Sequence, residues 1–307
     1  MLQTNGTLVD DEWAEFLAEH KFLVGVSIDG PREIHDYYRV DKGSEPTFDR
    51  VMRGVEKLKQ HKADFNTLTV VNRHNSQYPH EVYRFLKETG SGFMQFIPVV
   101  ERISSLPGPD GLVLIQPSSI RVGEVTEWSV KPLDYGKFLA NIFDDWVKQD
   151  VGRIFIQQFD VALESWLGMD ASLSVFRKRC SSAPAMEHTG DLYSCDHFVY
   201  PENKLGNVME ADLEQMANSQ QQQDFGLDKL ASLPSMCREC EVRFACNGEC
   251  PKHRFIQTPS GEPGLNYLCA GYKHFFHYID PYMQFMATEL REERPPANIM
   301  RIVGSSS

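Results

Sequence analysis

Four of the chain's seven cysteines fall within fourteen residues: Cys237, Cys240, Cys246 and Cys250 form a C-x2-C-x5-C-x3-C array. Thiolate is the soft donor of zinc and iron-sulfur sites, and a C-x2-C pair sets two sulfurs on one metal across a tight turn. The alternative, small buried hydrophobes or disulfide partners, is the less expected reading, because lone buried cysteines are common but clustered spacings are not. Three further cysteines flank the array, Cys180 and Cys195 upstream and Cys269 downstream. Two four-thiolate sites need eight sulfurs, so seven leave one position to another ligand, to an exogenous group, or to none. A zinc ribbon needs only the central four, which argues for something larger; zinc nevertheless accepts the same sulfurs, and ligand chemistry leaves both readings open.

The elements that must position these thiols change character along the chain. Asp10 is placed to cap a helix bearing Trp13, Phe16 and Leu17 on one face. Strand-length apolar runs at 22–28, 67–71 and 93–100 alternate with helical patterns at 47–60 and 78–88. Such alternation predicts right-handed βαβ units and a parallel sheet. Between Glu101 and Lys131 the pattern lapses into a segment with Pro107, Gly108, Pro109, Gly111 and Pro117, read as a long irregular loop over the sheet. An amphipathic helix is expected over 134–148, its aromatic stripe forming core. A short strand at 153–156 and a helix through Leu163 and Trp166 follow. Beyond Met169 the chain becomes cysteine-rich: a hairpin around Thr189-Gly190-Asp191, a helix at 210–219, an exposed helix end at Gln220 to Gln223, then the array. A long aromatic helix begins near Asn266, with Pro281 expected to kink or restart it. The last residues, 304–307, are expected to be disordered.

Composition limits the function classes. At 307 residues, 41% hydrophobic and 24% charged, the chain is long enough for one large or two ordinary globular domains. A net charge of −12 weakens any nucleic-acid role. No run approaches the ~18 apolar residues of a membrane span, and no secretory signal is visible, so a reducing cytoplasm is expected. Two basic runs, Arg177-Lys178-Arg179 and Lys252-His253-Arg254, read equally as solvated surface or as charge offsetting an anionic cluster.

Cys180-x14-Cys195, the central array and Cys269 together resemble the SPASM domain of radical S-adenosylmethionine enzymes, specifically the anaerobic sulfatase-maturating enzymes. The resemblance extends to Gln3-Thr-Asn-Gly6, Gly25-Val-Ser-Ile-Asp-Gly-Pro31, Gln95-Phe-Ile97, Gly190-Asp-Leu-Tyr-Ser-Cys-Asp196, Leu205-Gly-Asn207 and Leu265-Asn-Tyr-Leu-Cys269. It implies an α/β fold: a partial (β/α)6 radical-SAM barrel lacking its first strands over 1–168, a small Cys-rich SPASM domain with a β-hairpin and helices over 169–291, and a tail over 292–307. It also implies two auxiliary [4Fe-4S] clusters. One takes Cys237, Cys240, Cys246 and Cys269; the other takes Cys180, Cys195, Cys250 and a position that is Ser174 here. Serine is a poor replacement for thiolate at iron, which leaves that cluster three-coordinated by protein, open at one iron, or labile.

The family's C-x3-C-x2-C motif, which binds the cluster that cleaves S-adenosylmethionine, is not found in this sequence; Cys246-x3-Cys250 is followed by His253 where a third cysteine would be needed. The resemblance places that motif before the Gln-Thr-Asn-Gly strand. The chain is accordingly expected to be an N-terminally truncated form, poorly soluble or paired with its missing half. In a complete enzyme the resemblance implies that a 5'-deoxyadenosyl radical takes a hydrogen from the β-carbon of a cysteine or serine in a sulfatase peptide. A base then removes the side-chain proton, and an electron leaves toward the auxiliary clusters, giving formylglycine. Asp196 matches the base, and a dry pocket is expected around it; Ser27, Arg39 and Val100 match positions near S-adenosylmethionine, which would bind only with the N-terminal part supplied. His188, His197 and His253 are expected to make hydrogen bonds rather than bind iron. The implied partners are the sulfatase peptide and a reductant such as flavodoxin or ferredoxin, with neither nucleic acid nor membrane. Two alternatives stand beside the maturase: a non-catalytic iron-sulfur module for electron transfer or peptide binding, and a zinc-stabilised structural domain.

Overall fold

Asp10 accepts a hydrogen bond from the Trp13 backbone N–H at 2.9 Å and caps helix α1 (Asp11–Glu19), which links strand β1 (Leu2–Thr4) to β2 (Val24–Ser27). Of the expected stripe only Leu17 is buried, with Ala14; Trp13 and Phe16 face outward. In this computed structural model, which describes residues 1–103, 124–180 and 183–304, the alternation continues through α2 (Arg32–His35), α3 (Phe48–Gln60), β3 (Phe65–Val71), α4 (Pro79–Glu88) and β4 (Phe93–Pro98). A two-residue antiparallel ladder, β5 (Arg102–Ile103) with β6 (Glu124–Val125), bounds the expected long loop. Its prolines and glycines from 107 to 117 lie outside the described residues. Helix α5 (Pro132–Gln149), β7 (Phe155–Ile156) and α6 (Gln157–Trp166) complete the first half.

The five strands form one parallel sheet in the order β1-β2-β3-β4-β7. Each step between neighbours is a crossover through helix, as the sequence pattern predicts. Val24, Val26, Ile28, Met94, Phe96 and Ile156 are buried on the helix-covered side. This is the α/β, partial-barrel architecture expected.

In the second half, β8 (Ala185–Met186) and β9 (Asp191–Tyr193) make the expected hairpin, and β10 (Lys204–Asn207) adds a third antiparallel strand. After α7 (Leu213–Ala217), Gln220, Gln221 and Gln223 are exposed as expected, but the run starts a helix rather than ending one. It opens helix α8 (Gln220–Ala231), capped by Ser219, with Gln222 buried. Short helices α9 (Ser235–Arg238) and α10 (Arg243–Cys246) carry the array; β11 (Ile256–Gln257) pairs with β12 (Pro263–Leu265) before α11 (Cys269–Arg291). Pro281 neither ends nor restarts α11. The ring removes one backbone donor, but fully buried Ile279 and Met283 hold the helix on both sides of it. The expected tail folds in its described part as α12 (Ile299–Gly304), with Ile299 buried.

The main core runs through both halves, with a small second cluster of Leu233, Cys237 and Leu265 beside it. Leu268, Tyr272, Phe275, Phe276 and Ile279 of the C-terminal segment pack with Tyr135, Phe138, Leu139, Phe143 and Phe159. Helices α5 and α11 approach so closely that a Cβ at Gly271 would lie 1.9 Å from the Pro132 carbonyl oxygen, and one at Gly136 would lie 2.2 Å from the Gly271 oxygen.

Candidate metal centres

The fourteen-residue array divides between two cavities. Cys237, on α9, Cys240 in the following turn, and Cys246 at the end of α10 line one cavity with Cys269, the first residue of α11. Cys250 turns away and lines a second cavity with Cys180, Cys195, Ser174, His197 and Lys229. The space between atoms at the two, part of it open to solvent, is similar, about 370 and about 330 Å³.

The divergence is made by three consecutive left-handed residues, Asn247 (φ 46°), Gly248 (φ 72°) and Glu249 (φ 49°). Left-handed backbone disfavours residues bearing a Cβ by about 1–2 kcal/mol each, so this loop needs outside support. Arg254 supplies it: its guanidinium donates to the carbonyls of Asn247 (3.0 Å), Gly248 (2.9 Å) and Glu249 (3.0 Å), and to that of Lys229 (2.5 Å). Glu249 is buried and is held by His253 Nδ1 at 3.0 Å and by Asn266 Nδ2 at 2.6 Å. Burial alone would raise its carboxyl; its partner His253 and these hydrogen bonds prevail and hold it below the usual range. The 252–254 run is therefore structural: Lys252 pairs with Glu101, His253 with Glu249, and Arg254 with the loop. The run 177–179 is exposed.

All seven cysteines are free thiols. Burial pushes Cys195 and Cys246 up to about 12 and Cys269 up to about 11. Burial and then Glu249 raise Cys250 well above the ordinary range. These thiols thus stay protonated until a cation binds and displaces the protons. Among the described residues no three Cys, His, Asp or Glu side chains close on a point that would hold a single ion. Thiols ringing an open cavity suit a polynuclear group better than one tetrahedral zinc.

The structure places Asp196 at the exposed rim of the second cavity rather than in a dry pocket, where its Oδ1 accepts from the Cys195 thiol at 3.1 Å. His197 Nδ1 lies 3.2 Å from Cys250 Sγ, and His188 is solvated beside Glu187. Lys229 is a cavity residue that the sequence pattern did not single out. Burial pushes its ammonium down, while nearby Cys180 and Cys250, when ionised, draw it back up. The signal that could have found it is a polar helical repeat, Gln222, Gly226 and Lys229 at i, i+4 and i+7.

A third cavity sits at the C-terminal ends of β1 and β2 and brings Ser27 and Arg39 together with Asn5, Thr7, His35 and Tyr38. Ligand sites of parallel sheets collect at this end. Arg39 is locked by buried Asp29, Nε to Oδ2 at 2.7 Å and Nη2 to Oδ1 at 3.1 Å, and that oxygen also accepts from Val70 N. His35 Nδ1 accepts from Asp29 N at 3.3 Å, while Nε2 lies 3.1 Å from Thr47 Oγ1, which itself donates to the Arg39 carbonyl. That network assigns the neutral Nε2–H tautomer, and burial pushes His35 down to about 4. Val100 is not brought to this cavity; it is buried in the core.

Comparison with known proteins bears on these three sites together. The radical SAM superfamily profile matches residues 1–86, which build the strand-end cavity, and an iron-sulfur cluster-binding domain profile, SPASM, matches residues 180–241. Over 306 residues the chain is 49% identical to the serine-type anaerobic sulfatase-maturating enzyme of Bacteroides thetaiotaomicron, covering all of this chain and 73% of that protein. The chain belongs to the anaerobic sulfatase-maturating enzyme family. The cysteine-type family member of Clostridium perfringens is 33% identical over 94% of this chain and 74% of its own length. Among solved structures, one described as anSMEcpe with bound AdoMet superposes with a TM-score of 0.80 at 32% identity, covering 97% of this chain and 74% of that one. Another, with bound AdoMet and the Cp18Cys peptide, also gives 0.80, at 33% identity, covering 94% of this chain and 75% of that one. This family member thus spans about three quarters of the length of those relatives, with the radical SAM and SPASM architecture of the family. No helix among its described residues is long and apolar enough to cross a membrane.

Proposed function

We propose that this chain carries the auxiliary iron-sulfur half of a sulfatase maturase and presents a sulfatase Cys or Ser to it. The observation that carries the reading is the partition of one cysteine array between two separate cavities. In this reading Cys237, Cys240, Cys246 and Cys269 hold one [4Fe-4S] cluster. Cys180, Cys195 and Cys250 hold a second, with Ser174 or an exogenous group at its fourth iron. Held by these thiolates, such clusters would supply an acceptor for the electron that leaves the substrate. Asp196 Oδ1, at the exposed rim, takes the side-chain proton of the peptide residue that enters beside Cys195. Ser27 and Arg39 hold the polar end of S-adenosylmethionine at the strand ends, with Arg39 oriented by Asp29. A flavodoxin- or ferredoxin-type reductant and a reducing compartment suit seven free thiols. Turnover requires a C-x3-C-x2-C segment, which this sequence does not contain.

The test is anaerobic reconstitution followed by iron, sulfide and zinc analysis. About eight iron and eight sulfide are expected per chain. Cys246→Ser and Cys250→Ser should each remove a different centre, distinguished by electron paramagnetic resonance of the reduced protein. Zinc without sulfide, or loss of the same centre in both variants, would overturn the reading.

A further inference from the structure

We infer that Lys229 is the fixed cation of the Cys180, Cys195 and Cys250 cavity, placed there to raise the reduction potential of the cluster those sulfurs hold. The inference rests on the iron-sulfur reading above and goes beyond it. Lys229 is 1% exposed. Its ammonium donates to two neutral acceptors, the carbonyls of Ser174 at 2.9 Å and Val175 at 2.7 Å. No ion pair joins it to a carboxylate among the described residues. Burying an ammonium in this way costs several kcal/mol unless a negative charge lies close; the two carbonyls are neutral, and buried Glu249, which also draws the ammonium up, is held by His253 and Asn266 and does not provide a contact partner. The cavity it lines does, once three thiolates and a cluster occupy it.

The other cavity is built differently. Its lysine, Lys273, is 41% exposed at the side chain and already paired with Glu241 at 3.0 Å, so solvent and a carboxylate cancel most of its charge. Arg254 acts on sulfurs of both cavities, Cys237, Cys246 and Cys250, and so does not set them apart. Lys229 therefore raises the potential of the centre at Cys180, Cys195 and Cys250 above what that centre would have without it, against the buried Glu249 carboxylate that faces Cys250. It also holds the turn carrying Ser174 against that centre.

The experiment is a redox titration of the anaerobically reconstituted full chain, followed by electron paramagnetic resonance. In Lys229→Gln, which removes the charge and leaves a neutral donor one bond shorter than the ammonium that meets the Ser174 and Val175 carbonyls, one centre should become at least tenfold harder to reduce, about 59 mV for a one-electron couple. The other centre should stay unchanged, and Lys229→Arg should restore the potential. A Gln variant with full iron and sulfide and unaltered potentials overturns the inference, as does an equal shift of both centres. If the Gln variant loses its iron, the Arg variant decides: a wild-type potential supports the inference and a lowered one overturns it. Failure of both variants to load assigns Lys229 to the turn alone and also overturns it. Absence of iron and sulfide from the wild-type chain would instead defeat the underlying cluster reading.

Discussion

Asp196 and His35 sit at opposite ends of the reading, one on an exposed rim and the other sealed beneath the strand-end cavity. In a complete enzyme, Asp196→Asn should lower turnover at least about 100-fold, the usual scale for a lost general base, with iron and sulfide unchanged; near wild-type turnover would remove Asp196 from the chemistry. His35 links fold to pH. Its folded value is about 4, whereas an unfolded imidazole titrates near about 6.5. Between those values the unfolded chain binds more protons, so stability falls as pH drops through this window, by up to about 3 kcal/mol. Urea midpoints measured from pH 7 to pH 4 should fall more steeply in wild type than in His35→Gln; parallel slopes would contradict the assignment. At this scale the cysteines were legible because thiolate spacing is chemistry written in sequence. Arg39 and Ser27 line one cavity and Val100 lies in the core, a difference invisible in sequence because apolar residues at a strand end look alike whether they face a cavity or the core.

Helix α8 shows where periodicity stops being informative. Its buried positions are Gln222, Gly226 and Lys229, so it has a buried face without an apolar stripe, and hydrophobic pattern alone gives no sign of it. The face is polar because it packs on the hairpin and on a thiol-lined cavity rather than on the core. Helix α11 is the converse: its aromatic stripe was plain, but the closeness of its approach to α5 depends on two glycines whose meaning is visible only in space. Gly271→Ala would force its methyl onto the Pro132 carbonyl and cost about 1–3 kcal/mol. Cys269 lies two residues away on the same helix, so iron at the Cys237 cavity should fall with the melting temperature. A variant that melts lower yet retains both centres would separate helix packing from ligand placement.

For the molecule as a whole, the sequence marked two regions and the structure joined them through one core. The composition change near residue 169 is real, but α11 returns to pack on α5 and α6, a long-range pairing that local pattern does not encode. At the other side, β1 is a sheet edge, with Leu2 38% and Leu23 39% exposed beside Trp13 at 53% and Phe16 at 45%.

The Gly136–Gly271 crossing also constrains how such proteins can be recombined. A cysteine-rich segment cut out at residue 169 would leave behind the α5 groove in which its last helix lies. Grafting it onto another barrel would set a fresh side chain against the Gly271 backbone wherever the host lacks the matching glycine. A portable unit must therefore include α5, so chimaeras between relatives should be joined before Pro132 rather than at the change in composition.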